Sequence, residues 1–162
     1  MIFYMITDID SETVKAFIIF LNENPPEKTN KFQIYLCSNG GDPEQGRAII
    51  YLINKHKDRI TIKAYGSICS TAFEMYVLAK CKKRILKHTT GMYHRAARQV
   101  SMLGFSLGKT EDDNAALEWL EADNKITKKV CELVNMSEIT KADIQKGRDF
   151  YFTYEEMIAM LK

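Results

Sequence analysis

The stretch Tyr65-Gly66-Ser67-Ile68-Cys69-Ser70-Thr71-Ala72-Phe73 decides how the chain is read. Before it runs Arg59-Ile60-Thr61-Ile62-Lys63-Ala64, alternating and β-branched, which predicts a strand. After it, Ala72 to Lys80 holds Phe73, Met75, Tyr76, Val77, Leu78 and Ala79, an apolar run suited to a buried helix. Ser70 therefore falls where a strand turns sharply into a helix. A hydroxyl there is held by rigid elements on both sides, and the first N–H groups of the helix point at whatever it attacks. That is the geometry of an activated serine with half an oxyanion hole. A small-residue turn before a helix is also common without catalysis, so the motif needs companions.

The companions lie on either side. Toward the N-terminus, Met1 to Ile6 is an apolar run that predicts a strand from the first residue, and no leader is expected before it. Asp8, Asp10 and Ser11 offer N-cap oxygens, and Val14, Phe17, Ile18 and Leu21 recur at helical spacing until Pro25-Pro26. Phe32 to Cys37 predicts a second strand, ending in Ser38-Asn39-Gly40-Gly41-Asp42-Pro43. Two glycines there permit positive φ and close approach of a ligand, while Asp42 and Pro43 suit the cap and first position of a helix. Ala48, Ile49, Leu52 and Ile53 supply that helix's buried face; by itself the junction reads as a tight βα turn.

Toward the C-terminus, Lys83 to Lys87 and Gly91 to His94 look like two short strands. Strand–helix alternation repeats three times in the first eighty residues, which predicts an α/β fold with a parallel sheet of βαβ units. Functional groups in such sheets gather at the carboxyl ends of strands, where Gly41, Ser70 and His94 all fall. Arg95 to Lys109 carries no clear period. Thr110 with Asp113 resembles a capping box, and a long helix is predicted from about Glu111 to Val134, with Ala116, Trp119, Leu120, Ile126, Val130 and Leu133 on roughly one side. A helix of that length after a formed domain is expected to project and pack on something else. Ser137 caps a short helix ending at Gly147, Arg148 to Phe152 is extended, and Thr153-x-x-Glu156 is a capping box for a last helix.

Bulk properties narrow the class. The 162 residues make one domain's worth, and 46% apolar with 27% charged residues is ordinary for a globular protein. A net charge of +2, without basic blocks interleaved with aromatics, argues against nucleic acid as partner. Cys37, Cys69, Cys81 and Cys131 have no CxxC spacing, and no signal-peptide pattern opens the chain, so reduced thiols in a cytoplasmic protein are expected. No apolar run approaches the ~20 residues of a membrane span. His56, His88 and His94 have no i,i+4 partner for a metal; His56 and His88, among lysines, are expected to face solvent.

Taken in order, Gly40-Gly41, Gly66-x-x-x-Ser70, Met92-Tyr93-His94 and Arg148-Asp149 resemble the proteolytic subunit of the Clp protease, a serine peptidase family of crotonase-like fold. The resemblance spans nearly the whole chain and implies a single peptidase domain over 1–162, with a projecting handle over about 95–134. It implies Ser70 as nucleophile, His94 as general base and Asp149 as the orienting acid, with Gly41 and Thr71 supplying oxyanion N–H groups. It implies no metal and no organic cofactor. The implied partners are a peptide or unfolded protein as substrate and further copies of the chain in seven-membered rings, stacked in the family. A Clp-type ATPase is the family's other partner; here Met1 already stands at the strand that follows the family's axial segment, so ATP-independent and ATPase-assisted action both stay open.

Some positions depart from the family pattern. The usual Ser-Pro-Gly-Gly is Ser38-Asn39-Gly40-Gly41, Thr71-Ala72 replaces Met-Gly, and Arg95-Ala96 replaces Gln-Pro after His94. Asp143 is a rival acid inside the preceding helix, and Cys69, one position before Ser70, reads as a small buried thiol. Two other functions are weighed against the peptidase. One is a catalytically silent ring subunit, which has no reason to keep all three triad residues. The other is an acyl-CoA enzyme of the same broader fold, for which Glu74 is the only acid near the serine.

Overall fold

The computed structural model of the chain describes residues 1–28, 31–95, 111–134 and 136–160. Strand β1 (Ile2–Met5) pairs in parallel with β2 (Phe32–Ser38), and β2 pairs in parallel with β3 (Ile60–Cys69). The other edge of β3 takes two short parallel strands in succession. β4 (Lys82–Ile85) lies beside residues 61–64, and β5 (Thr90–Tyr93) beside residues 67–69. β6 (Phe150–Phe152) then pairs antiparallel with β5. The fold is α/β with a mostly parallel sheet, as the alternation of elements predicts.

The sheet corrects one detail. β3 runs past Ala64, where the alternating pattern stops, to Cys69. Gly66 adopts φ +62, and beyond it Ser67, Ile68 and Cys69 find a new ladder partner in β5. Gly-Ser in a sequence signals a turn; here the glycine re-aims a strand that continues. The consequence is functional, because it sets β5 beside the last residues before Ser70.

Helix α1 (Ser11–Glu23) starts at Asp10, whose carboxylate accepts the Thr13 N–H at 2.8 Å. Helix α2 (Pro43–Lys55) starts at Asp42, which accepts the Glu44 N–H at 2.7 Å, with Pro43 at the first position. Helix α3 (Thr71–Leu78) is buried from Thr71 through Val77. Helix α4 (Glu111–Leu133) is followed by α5 (Glu138–Gln145), capped by Ser137, and Gly147 at φ +82 stands just past its end. Helix α6 (Tyr154–Met160) opens on a closed capping box: the Thr153 N–H donates to Glu156 at 2.8 Å and the Glu156 N–H to the Thr153 hydroxyl at 3.3 Å. No helix among the described residues is long and apolar enough to cross a membrane.

The strands alternate because one face of the sheet is buried and the other is not. Ile34, Leu36, Ile60, Ile62 and Ala64 are sealed, whereas Tyr35, Lys63 and Tyr65 on the opposite face stay half-buried. Parallel sheets covered on both sides read as continuous apolar runs; this one does not. α2 packs on α3 and α1 on α2, and Ile49 and Ile53 carry the buried face of α2, with Ala48 and Leu52 only partly covered.

Three aromatic rings then tie together the elements around Ser70. Phe73 of α3 is fully buried, stacks on Phe152 of β6 at 5.2 Å, and lies 5.6 Å from Tyr93 of β5. Phe73→Ala is expected to cost about 3–5 kcal/mol, the range for emptying a buried aromatic site. Chemical denaturation reads this as a lower midpoint at unchanged slope.

Two expectations need correcting. On α4 the buried face is Asp123, Thr127, Val130 and Cys131, while Leu120 and Leu133 are 39% and 51% exposed. Val130 is sealed and Ile126 packs against the core as expected, but Leu120 and Leu133 turn outward because Asp123 and Thr127 meet polar partners on the inner side. Ala116 and the capping pair at Thr110, with residues 96–110 of the handle region, lie outside the described residues or side chains. His88 is exposed, but His56 is half-buried as the C-cap of α2, and burial lowers its pKa.

Candidate active site

Ser70 occupies the turn between β3 and α3 with φ 51 and ψ −123. A serine held at positive φ is strained by about 1–3 kcal/mol, and rigid neighbours must impose it. They do: the Ser70 N–H donates to the Met92 carbonyl of β5 at 2.8 Å, and α3 starts at the next residue.

Strand register brings the other two groups in. β6 pairs antiparallel with β5, and the ladder ends with Phe150 opposite Tyr93; His94 and Asp149 are the next residues on the two segments, and continuing the register by one step would set them across from each other. Directly opposed residues have Cβ atoms roughly 4.5–5.5 Å apart, within reach for a carboxylate and an imidazole. His94 Nδ1 lies 3.0 Å from Asp149 Oδ1, and His94 Nε2 lies 2.8 Å from Ser70 Oγ. A carboxylate only accepts, so Nδ1 carries the proton and Nε2 is left to accept from the serine hydroxyl. The imidazole is partly exposed and Asp149 is 48% exposed, so the site is an open one in the single chain.

Asp143 is engaged elsewhere: its carboxylate meets the Arg148 guanidinium at 3.3 Å, and its carbonyl accepts the Arg148 N–H. Cys69 is buried, with its sulfur 3.1 Å from the Ser67 hydroxyl.

Gly40 and Gly41, at φ +105 and +145, form the loop facing Ser70. A Cβ on Gly40 would stand 2.8 Å from the Ser70 Cβ and 3.1 Å from the Thr71 nitrogen, so only glycine lets the loop come this close. The Ile9 N–H donates to the Gly40 carbonyl and the Asp42 N–H to the Ile9 carbonyl, both at 2.8 Å. That bridge uses the groups on either side of Gly41 and leaves the Gly41 N–H outside it. Thr71 stands at the first position of α3, where an N–H has no partner within its helix, and its hydroxyl donates to the Gly41 carbonyl at 2.9 Å. The Thr71 hydroxyl thus pins the Gly41 backbone to the start of α3, next to Ser70.

A family model described as Clp protease matches residues 1–160. The chain belongs to the Clp protease family. Family membership makes it a peptidase by descent. A search of curated proteins found no match to the chain.

Behind the serine, this member of the Clp protease family carries two buried acids, Glu74 and Asp123, met by two half-buried arginines. Glu74 of α3 lies 3.9 Å from the Arg47 guanidinium of α2, and Arg47 also reaches Asp123 of α4 at 3.3 Å. Arg95 approaches the other oxygen of Asp123 at 3.6 Å. The one visible signal was Glu74, an acid inside an otherwise apolar helix; its partners are remote in sequence. Burial pushes the Glu74 carboxyl up from 4.5 to about 7, helped by Asp123 and opposed by Arg47.

The folded protein therefore keeps a proton on Glu74 that the unfolded chain releases above 4.5. Stability is expected to fall as pH rises from 4.5 through about 7 and to level off above, by about 3 kcal/mol from this group. Glu74→Gln should flatten that slope in thermal melts at pH 5 to 8. A variant retaining the wild-type slope would assign it to another group.

Proposed function

We propose that the chain is a serine endopeptidase acting on peptides or unfolded protein segments through Ser70, His94 and Asp149. The observation that carries the reading is the unbroken Ser70 Oγ–His94 Nε2–Asp149 sequence of contacts, at 2.8 and 3.0 Å. Neutral imidazole near working pH takes the serine proton as Oγ attacks the scissile carbonyl. Asp149 holds the tautomer and stabilises the imidazolium. The Gly41 and Thr71 N–H groups hold the tetrahedral oxyanion, each worth roughly 3–4 kcal/mol in a serine protease. His94 then returns the proton to the leaving amine, and water repeats the sequence on the acyl-enzyme. None of these steps calls on a metal or organic cofactor.

Substrate would lie extended beside the Gly40-Gly41 edge as an added strand, its backbone supplying the affinity. One peptidase unit per chain would assemble into rings, seven-membered as the family resemblance implies. The exposed Leu117, Leu120 and Leu133 of α4 suit burial against further copies. Such rings would work either ATP-independently or assisted by a Clp-type ATPase, in the cytoplasm.

The test is covalent labelling with a fluorophosphonate, mapped by mass spectrometry, on protein sized by light scattering. The expected result is a multi-subunit species labelled at Ser70. An assembled, folded protein that takes no label would instead be a silent ring subunit.

A further inference from the structure

Asp123 is a carboxylate on the inner side of α4 with 1% of its side chain exposed. It stands between two guanidinium groups from different parts of the fold. Arg47 Nη2 donates to Oδ1 at 3.3 Å, and Arg95 Nε lies 3.6 Å from Oδ2. Arg47 belongs to α2, the helix that begins directly after the Gly40-Gly41 loop. Arg95 follows His94 in the chain and also donates through Nη1 to the Gln145 carbonyl at 3.4 Å, in the segment leading to Asp149. One turn along α4, Thr127 takes the Tyr93 hydroxyl at 3.5 Å. Both neighbours of His94 are therefore held by the same helix.

Packing alone does not account for this arrangement. A buried ion pair contributes little net stability against an apolar pair of the same volume, because desolvation offsets the attraction. What such a set does supply is discrimination between arrangements, since a displaced partner leaves a charge buried and uncompensated. Here a shift of α4 would leave Asp123, with 1% of its side chain exposed, without either guanidinium, and would take the Asp123 carboxylate from both Arg47 and Arg95. We propose that Asp123 is a positioning residue that keys the long helix to both halves of the site: through Arg95 it sets the His94 end of β5, and through Arg47 it sets the helix behind the oxyanion loop. The proposal rests on the serine-peptidase reading for its kinetic consequence, and on the contacts alone for its structural one.

The test compares wild type, Asp123→Asn, Arg95→Ala and Arg95→Lys by thermal melting and two further readouts. The first is the rate of fluorophosphonate labelling. The second, independent of activity, is the downfield proton resonance of the His94 Nδ1–H bonded to Asp149. Asp123→Asn is expected to melt cooperatively, to label on the order of tenfold to a hundredfold more slowly, as for a misplaced catalytic group, and to lose or broaden the resonance. Arg95→Lys should recover part of what Arg95→Ala loses. A folded Asp123→Asn that labels within about twofold of wild type and keeps the resonance overturns the proposal. If Asp123→Asn fails to fold, Arg95→Ala decides by the same two readouts. If wild type itself takes no label, the peptidase reading falls, and the resonance alone decides the role of Asp123.

Discussion

Ser70→Ala will remove fluorophosphonate labelling and lower peptide turnover by about a millionfold, and His94→Ala will do nearly the same. The effect is that large because the hydroxyl and the imidazole act as one unit, in contact at 2.8 Å. The double variant should therefore be no worse than either single one. A residual rate above water is expected in both, from the oxyanion donors proposed at Gly41 and Thr71 and from binding. Backbone strain gives an independent check on Ser70. At φ 51, alanine keeps the strain and glycine relieves it, so Ser70→Gly should be more stable than Ser70→Ala, by about 1 kcal/mol. Turnover by Ser70→Ala at the wild-type rate would move the nucleophile elsewhere, and equal melting points would mean the turn relaxes in solution.

Gly41→Ala is the second large effect, and it strikes the loop rather than the nucleophile. An added methyl would overlap the Ile9 carbonyl oxygen and come within 2.7 Å of the Ile9 nitrogen, both backbone atoms that cannot swing aside. The φ of +145 adds strain for any residue with a Cβ. Relief requires the loop to leave the bridge to Ile9, which would displace the Gly41 N–H from the oxyanion role proposed for it. Loss of one oxyanion donor costs roughly a hundred- to a thousandfold in kcat, and the melting temperature should fall with it. KM should change little, because the donor is engaged in the transition state more than in the bound substrate. Wild-type kcat in a folded Gly41→Ala would remove this loop from the oxyanion hole.

Much of this fold is legible in the sequence. The period-2 runs at Phe32 to Cys37 and Arg59 to Ala64 identify strands because half of each strand is sealed and half is not. Asp10, Asp42, Ser137 and Thr153 mark helix starts because their oxygens satisfy backbone donors within three residues. Ser70, Gly41 and His94 fall at strand ends, and a parallel sheet collects its carboxyl ends on one edge. Local chemistry has local signals, and those carry into the fold.

What sequence could not settle were features that depend on which remote elements meet. The extension of β3 past Gly66 follows from β5 lying alongside, and nothing within Gly66-Ser67 announces it. The inner face of α4 went to Asp123 and Thr127 rather than Leu120 and Leu133, because arginines from α2 and from the residue after His94, with the Tyr93 hydroxyl, converge there. Asp149 rather than Asp143 meets His94: it adjoins the end of the β5–β6 ladder and lies 3.0 Å from the imidazole, while Asp143 is held by Arg148. The sequence by itself determined the element types, the helix caps and the three residue types a serine peptidase needs. Only the tertiary structure decided that Ser70, His94 and Asp149 lie within hydrogen-bonding distance, because that depends on strand pairings between segments up to 55 residues apart, whose partners no local pattern encodes.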